Sequence, residues 1–341
     1  MQLIECVPNF SEGRNITTIN AIAAAIRQVA GVTLLHIDRG EAANRTVFTF
    51  VGPPKAVTEA AFQAIRVASE WIDMRQQKGE HPRIGAIDVC PLVPVANISM
   101  EEVLRYAEQL GQRVGDTLDI PVFMYEQSAT HKERQNLATI RSGEYEGLAE
   151  KLQSPDWQPD YGPAKFNAQS GATVLGARDF LIAYNVNLAT KSVDIATEIA
   201  RTVRASGRLI KKADGTKERI VGKLPYVKAI GWYIEEFGQA QVSMNLTNFQ
   251  QTGIHQAFDA CVTAAAKLGV AITGSELIGL IPEQALVEAG QHYLAKNKKD
   301  SLDVKELVGV AVEQLGLADL APFSPEERII EWAVKRVRNS L

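Results

Sequence analysis

Two stretches of the chain spell the same order of hydrophobic periodicities, and this repetition limits the possible folds more than any other feature. The apolar run at 4–10 reads as a short strand, and Asn15 or Thr17 then opens a helix. Its apolar positions Ile19, Ile22, Ile26 and Val29 recur at helical spacing, so one face packs on a sheet. Val32 to Ile37 and Val47 to Val51 are β-branched and apolar around a polar turn at 40–44, which predicts a hairpin. Pro53 and Pro54 mark the entry of a second helix, with Val57, Ala61, Ala64, Ile65, Ala68 and Ile72 on one face. A strand at 86–89 completes β-α-β-β-α-β. The second half repeats it: strand 180–186, helix 193–203, hairpin 227–234 with 240–246, helix 253–268, and Val270 to Thr273 leading on. A duplicated split βαβ unit is the economical explanation, an α+β arrangement of antiparallel sheets with helices on one face. Two such sheets side by side leave a cleft, and small molecules favour clefts.

Between the halves, Ser99 with Glu102 forms a capping box that starts a helix. A strand is expected at 122–125 and a short helix at 143–151. Residues 154–171 are rich in Pro, Gly, Asp and Gln, and so long an irregular stretch points to a binding loop. Residues 207–223, with six basic and two acidic side chains, read as a solvated hairpin insert. The last seventy residues read as helical, with Ser324-Pro325 as a further helix start.

With 341 residues, the chain is long for one core, so two domains are expected, 1–180 and 181–341. A net charge of −4 gives no overall basic footprint for nucleic acid. Cys6, Cys90 and Cys261 are odd in number and lack CxxC spacing, against both a disulfide framework and a zinc knuckle. With no secretory signal and no apolar run long enough to span a bilayer, a cytoplasmic protein without membrane partners is expected.

His36, His81, His131, His255 and His292 are scattered without HxxxH or HxH pairing, so no metal is expected. No P-loop, strand-linked GxGxxG or GxSxG elbow is present. His36 lies in an apolar run and reads as a structural histidine, His131 as solvated, His255 and His292 as helix-face residues. His81 differs: it sits in a charged turn just before an apolar strand, where an imidazole near neutrality can take and return a proton. From spacing alone a surface loop histidine is the commoner case, since most histidines in a chain of this size do no chemistry.

The segment Gly79-Glu80-His81-Pro82-Arg83-Ile84-Gly85-Ala86-Ile87-Asp88-Val89-Cys90-Pro91 resembles a signature of the formiminotransferase family. Ile4-Glu5-Cys6-Val7-Pro8-Asn9-Phe10-Ser11-Glu12-Gly13 resembles its amino-terminal motif, and Asn44-Arg45-Thr46-Val47-Phe48-Thr49-Phe50-Val51-Gly52 its second. Gly231-Trp232-Tyr233 with Gln241-Val242-Ser243-Met244-Asn245-Leu246 resembles a motif of the carboxy half, and Pro322-Phe323-Ser324-Pro325 with Glu327-Arg328-Ile329-Ile330-Glu331 the family's end.

The resemblance implies two ferredoxin-like subdomains enclosing a cleft, a homodimer, and transfer of a formimino group from N-formimino-L-glutamate to N5 of the co-substrate tetrahydrofolate. It implies His81 as the general acid-base. It also implies a folate-binding loop at Gly162-Pro163-Ala164-Lys165-Phe166-Asn167-Ala168-Gln169-Ser170-Gly171, where Ser170 replaces an aromatic residue of the vertebrate members. Both substrates being polyanions, Arg45, Arg83, Lys78 and Lys165 are candidate cations, and Asn9 and Asp38 could contact a ligand or orient His81. The chain ends where the family's transferase module ends, so a separate cyclodeaminase is expected to act next. Two alternatives stay open: a formyltransferase using N-formylglutamate, and a non-catalytic folate-binding protein.

Overall fold

Proline has no amide hydrogen to offer a strand neighbour, and Pro8 accordingly interrupts the first strand into β1 (Leu3–Cys6) and β2 (Asn9–Phe10). Its carbonyl still accepts from the Phe48 amide at 3.0 Å, so the two pieces occupy one interior position of the sheet, between the same two neighbours. The structure is a computed structural model that describes residues 2–212, 214–297 and 303–339. The chain divides into two units, Met1–Asp179 and Phe180–Leu341.

In the first unit, α1 (Ile16–Arg27) begins at Asn15, whose side chain accepts from the amides of Thr17 and Thr18. Then come β3 (Thr33–Gly40), β4 (Arg45–Gly52), α2 (Pro54–Trp71) and β5 (Ile87–Ala96). The strands lie in the order β3, β4, then β1 and β2, then β5, with every neighbour antiparallel. Alternation along β4 sends Phe48 and Phe50 into the core with α1 and α2. There Phe48 meets Phe10 edge to face at 5.3 Å. Arg45, Val47 and Thr49 therefore belong to the opposite face.

α3 (Met100–Leu118) starts with the reciprocal Ser99–Glu102 capping box and leads to β6 (Val122–Met124). Two single-turn helices, α4 (Leu137–Ile140) and α5 (Leu148–Lys151), precede β7 (Thr173–Ala177), which joins β5 and β6 in parallel and completes a seven-stranded sheet. Ile140 and Leu148 pack with Val89, Phe123 and Val174 in a second core cluster. That packing carries the 137–152 segment over the start of β5.

The second unit contains β8 (Ile182–Leu188), α6 (Val193–Val203), the hairpin β9 (Arg208–Lys211) and β10 (Lys217–Ile220), then β11 (Val227–Ile234), β12 (Gln239–Leu246), α7 (Ile254–Lys267) and β13 (Ile272–Ile278). Its sheet runs β11, β12, β8, β13, all antiparallel. Gly231 lets α6 lie against β11, since a Cβ there would come 2.2 Å from the Thr197 amide nitrogen. The helices α8 (Glu283–Asn297), α9 (Val304–Gln314), α10 (Pro325–Arg328) and α11 (Ile330–Asn339) follow.

Three expectations need correcting. The strand expected at 86–89 continues to Ala96 through Pro91 and Pro94, and the register shift between Leu3 and Ile4 falls opposite Pro94. A bulge is where a sheet tolerates a proline. The helix expected at 143–151 shrinks to Leu148–Lys151, because Gly143 adopts a φ of 87°. The final helical region starts only after β13, which completes the sheet beside β8; its residues 298–302, 340 and 341, and residue 213 of the basic hairpin, lie outside the described residues.

Replacing Asn15 by Ala should lower the stability of the first unit by about 1 kcal/mol, by removing the acceptor for two otherwise unbonded amides. Urea denaturation of the two proteins measures this, and identical midpoints would contradict the assigned cap.

Candidate active site

An ionisable side chain in an apolar strand must find a counter-charge, and Asp88 in β5 is 0 % exposed. Its Oδ2 accepts from Arg45 at 2.5 Å and also from Arg141. Its Oδ1 accepts from Arg141 Nε at 3.0 Å and from the Ile84 amide at 3.1 Å. Burial alone would raise the carboxyl pKa, but the two guanidiniums hold it far below the usual carboxylate range. Arg45, itself buried, is lowered to about 10 by loss of water, with Asp88 opposing the shift. Arg45 occupies the first position of β4, and Arg141 directly follows α4. Asn9 steers Arg45 by accepting from its Nε at 3.1 Å while donating to the Val7 carbonyl at 2.8 Å.

One carboxylate between two guanidiniums leaves a local surplus of positive charge, and His81 lies within its reach. Burial is the largest influence on the half-buried imidazole; Arg45 and Arg141 add to it, Asp88 opposes, and the pKa falls well below 6.5. His81 Nδ1 is 2.7 Å from the Pro82 carbonyl oxygen. A carbonyl only accepts, so Nδ1 carries the hydrogen, and in the neutral ring Nε2 holds the basic lone pair.

The turn bearing His81 is fixed by residues far away in sequence. Asn44, at a φ of 45°, accepts from the Gly13 amide at 2.9 Å and donates to the Lys78 carbonyl at 3.0 Å and to the Gln77 side chain. Gln77 donates to buried Glu12 at 3.1 Å, and Glu12 also accepts from the amides of Arg14 and Asn15 at 2.8 and 2.9 Å. Three sequence-distant segments thereby become one wall. A small pocket opens there, lined among others by Ser11, Asn44, Arg45, Lys78, His81 and Arg83.

The loop 162–171 adjoins this wall at its last residue. Gly171, at a φ of 67°, bridges to Gly85, where a Cβ would sit 2.1 Å from the Ala172 carbonyl oxygen. Gln169 donates to the Ser69 carbonyl at 3.0 Å, and Asn167 accepts from the Ser170 amide at 3.0 Å. The Phe166 ring meets Tyr145 at 5.4 Å, while Ala164, Lys165 and Ala168 are exposed. Gly162, at a φ of 78°, precedes Pro163 at the loop's start.

The structure thus brings His81, Arg45, Arg83 and Lys78 to one pocket, with Asn9 attached through Arg45. Arg83 arrives already engaged, with Glu144 at 3.0 Å, Glu146 at 2.7 Å and the Gln77 carbonyl at 3.1 Å. Asp38 stands 3.6 Å from His36, and register through Val47 puts it on the same sheet face as Asn9. Sequence reasoning missed Arg141 and the role of Asp88. An acidic residue within Ile87-Asp88-Val89-Cys90 signals a buried charge, but nothing local identifies its partners. Among the described residues no group of three or more His, Cys, Asp or Glu could hold a metal ion, and no helix is long and apolar enough to cross a membrane.

Residues 3–178 match the formiminotransferase domain, N-terminal subdomain, and residues 183–335 the formiminotransferase domain. The chain is 48 % identical over 335 residues to the formimidoyltransferase-cyclodeaminase of Dictyostelium discoideum, covering 98 % of this chain and 60 % of that protein. It is 44 % identical over 293 residues to a glutamate formimidoyltransferase of Streptococcus pyogenes, covering 86 % and 93 % of the two chains. With a glutamate formimidoyltransferase of Thermoplasma acidophilum it shares 42 % over 308 residues, covering 90 % and 97 %. The chain spans about three fifths of the length of the cyclodeaminase-bearing relatives.

Replacing Asp88 by Asn leaves two guanidiniums facing each other without a counter-charge. Unfolding free energy should fall by about 3–5 kcal/mol, the cost typical of breaking a buried ion pair from one side. A loss below about 1 kcal/mol in denaturant titration would contradict this account of the clamp.

Proposed function

The chain belongs to the formiminotransferase family, and on that premise we propose that it transfers the formimino group of N-formimino-L-glutamate to N5 of tetrahydrofolate, giving 5-formiminotetrahydrofolate and L-glutamate. The observation that carries the reading is His81, its Nδ1 bonded to the Pro82 carbonyl, in a pocket lined by Arg45 and Lys78.

In this reading N5 attacks the formimino carbon, and His81 Nε2 takes the N5 proton as the N5–C bond forms. The tetrahedral carbon then bears three nitrogens. Expulsion of glutamate requires a proton on its nitrogen, and the imidazolium returns the one it took as the old C–N bond breaks. The depressed pKa of His81 suits the second half of this cycle, since the resulting imidazolium is a strong proton donor. Arg45, set by Asp88 and Asn9, and the lysines Lys78 and Lys165 are the cations assigned to substrate carboxylates. Arg83, bound to two glutamates, ties the His81 turn to residues 144–146. The loop from Gly162 to Gly171 holds tetrahydrofolate, with Phe166 offering an aromatic face, and Asp38 contacts a ligand from the sheet face it shares with Asn9.

The same reading takes the units as ferredoxin-like domains, 1–180 and 181–341, duplicated from one ancestor. Their matching strand orders support it, β3-β4-(β1, β2)-β5 beside β11-β12-β8-β13. Buried free thiols at Cys6, Cys90 and Cys261 support a reducing, cytoplasmic setting. A homodimer, and a cyclodeaminase acting on the product, rest on family membership alone.

Replacing His81 by Ala should reduce kcat by about a hundredfold to ten-thousandfold, with the dissociation constant for tetrahydrofolate changed little. Glutamate release and folate titration measure the two; lost folate binding at unchanged kcat would contradict the assignment. Acidification protonates the base, so the acid limb of kcat/KM should lie below pH 6.5 in the wild type. Arg141→Gln, by removing a cation that disfavours the imidazolium, should move that limb upward. A wild-type limb at or above the ordinary imidazole value would overturn this picture.

A further inference from the structure

Arg141 bears on the proton affinity of His81, yet it follows a helix of a single turn. A helix that short is not stable on its own. Among the described residues, the backbone bonds of 139–142 join partners within 136–144: the Ile140 amide to Asn136, the Arg141 amide to Leu137, the Ser142 amide to Thr139, and the Glu144 amide to the Arg141 carbonyl. Such local bonds set the shape of the turn and leave its place in the molecule to side chains.

The last carbonyls of a helix have no amide partner within it. Lys151, the last residue of α5, reaches this group of carbonyls from outside. Its Nζ lies 3.4 Å from the Thr139 carbonyl oxygen, 2.5 Å from that of Ile140 and 2.7 Å from that of Ser142. The three oxygens bracket Arg141 on both sides. Burial lowers the pKa of Lys151 to about 8, so near neutrality it is an ammonium with one hydrogen for each carbonyl. The Trp157 ring faces the same ammonium at 4.2 Å and meets Phe123 of β6 edge to face at 6.1 Å. Arg134, paired with Asp160, lies over that ring at 5.7 Å. Phe123 belongs to the core cluster that holds Val89, the neighbour of Asp88 in β5. Lys151 thereby links the backbone that carries Arg141 to the core beside the carboxylate that Arg141 must reach.

We infer that Lys151 is a positioning residue for the proton transfer at His81: by holding the three carbonyls around Arg141, it keeps that guanidinium on Asp88 and its charge near the imidazole. The inference rests on the proposed function, in which His81 moves the proton. The charged groups that bear on His81 are Arg45, Arg141 and Asp88, and its pocket is also lined by Lys78 and by Arg83, itself paired with Glu144 and Glu146. Lys151 does not line that pocket, so its influence passes through the backbone at Arg141.

The test uses the full chain and its Lys151→Met, Lys151→Gln and Arg141→Gln variants, together with the double variant Lys151→Met with Arg141→Gln. Lys151→Gln keeps a donor for the carbonyls and guards against loss of folding. Proton NMR follows the titration of the His81 imidazole, identified by the signal lost in His81→Ala, and glutamate release gives the acid limb of kcat/KM. Both Lys151 variants should raise the His81 midpoint by about half a pH unit or more, and by no more than Arg141→Gln does. The double variant should titrate as Arg141→Gln alone, because no guanidinium is left to position. If the lost ammonium acted through its own field, the double variant would show a further increment, which would overturn the inference. A lysine that only braces the fold predicts lower melting temperatures with an unmoved His81 midpoint in both Lys151 variants, and that result would overturn it as well. A wild type that releases no glutamate would overturn the functional reading, while the titration would still decide whether Lys151 positions Arg141.

Discussion

The carboxylate of Asp88 between Arg45 and Arg141 is the interaction on which the candidate active site depends. Removing an aspartate from water is costly, and one arginine would compensate it only with excellent geometry. Two guanidiniums and a backbone amide fill the acceptor positions of its oxygens. This arrangement fixes three parts of the chain at once: the start of β4 through Arg45, the segment after α4 through Arg141, and the entry to β5 through the Ile84 amide. It also leaves an uncompensated positive charge near His81, so the structural clamp and the proton affinity of the imidazole share one cause.

Around that clamp, the side chains of Asn44, Gln77 and Glu12 set positions by hydrogen bonds. Asn44 accepts the left-handed backbone that few residues tolerate, and its amide then reaches both the amino-terminal segment and the His81 turn. Glu12 offers one oxygen to the start of α1 and the other to Gln77. A helix N-terminus favours a negative group, so the charge of Glu12 is already balanced where it lies.

Much of the fold was legible in the sequence because local periodicity specifies elements such as α1, α2, α6 and the β3–β4 and β11–β12 hairpins. The failures have physical reasons. The extension of β5 was hidden by Pro91 and Pro94, since proline argues against a strand unless a bulge relieves the pairing, as it does beside Pro94. β13 runs on to Ile278, past the expected 270–273, because it is completed by pairing with β8 more than eighty residues earlier rather than by any local signal. For the site, the motifs singled out His81, Arg45 and Asn9, and the structure places these around one pocket. Arg141 carried no such mark. It reaches Asp88 across 53 residues of sequence, through a short helix whose position comes from tertiary packing rather than from propensity.

The two units share a strand order but differ in the chemistry of the sheet face opposite their long helices. In the first unit that face carries Arg45, ion-paired with Asp88, and His36, 3.6 Å from Asp38. In the second it carries Asn185, Asn187 and Gln241, whose carboxamides have no charge to lose, around the single carboxylate of Glu276. Clustered charges shift one another's proton affinity, whereas carboxamide donors and acceptors keep their polarity at every pH. A sheet whose long helices all pack on one face can vary on the other without disturbing the core beneath those helices.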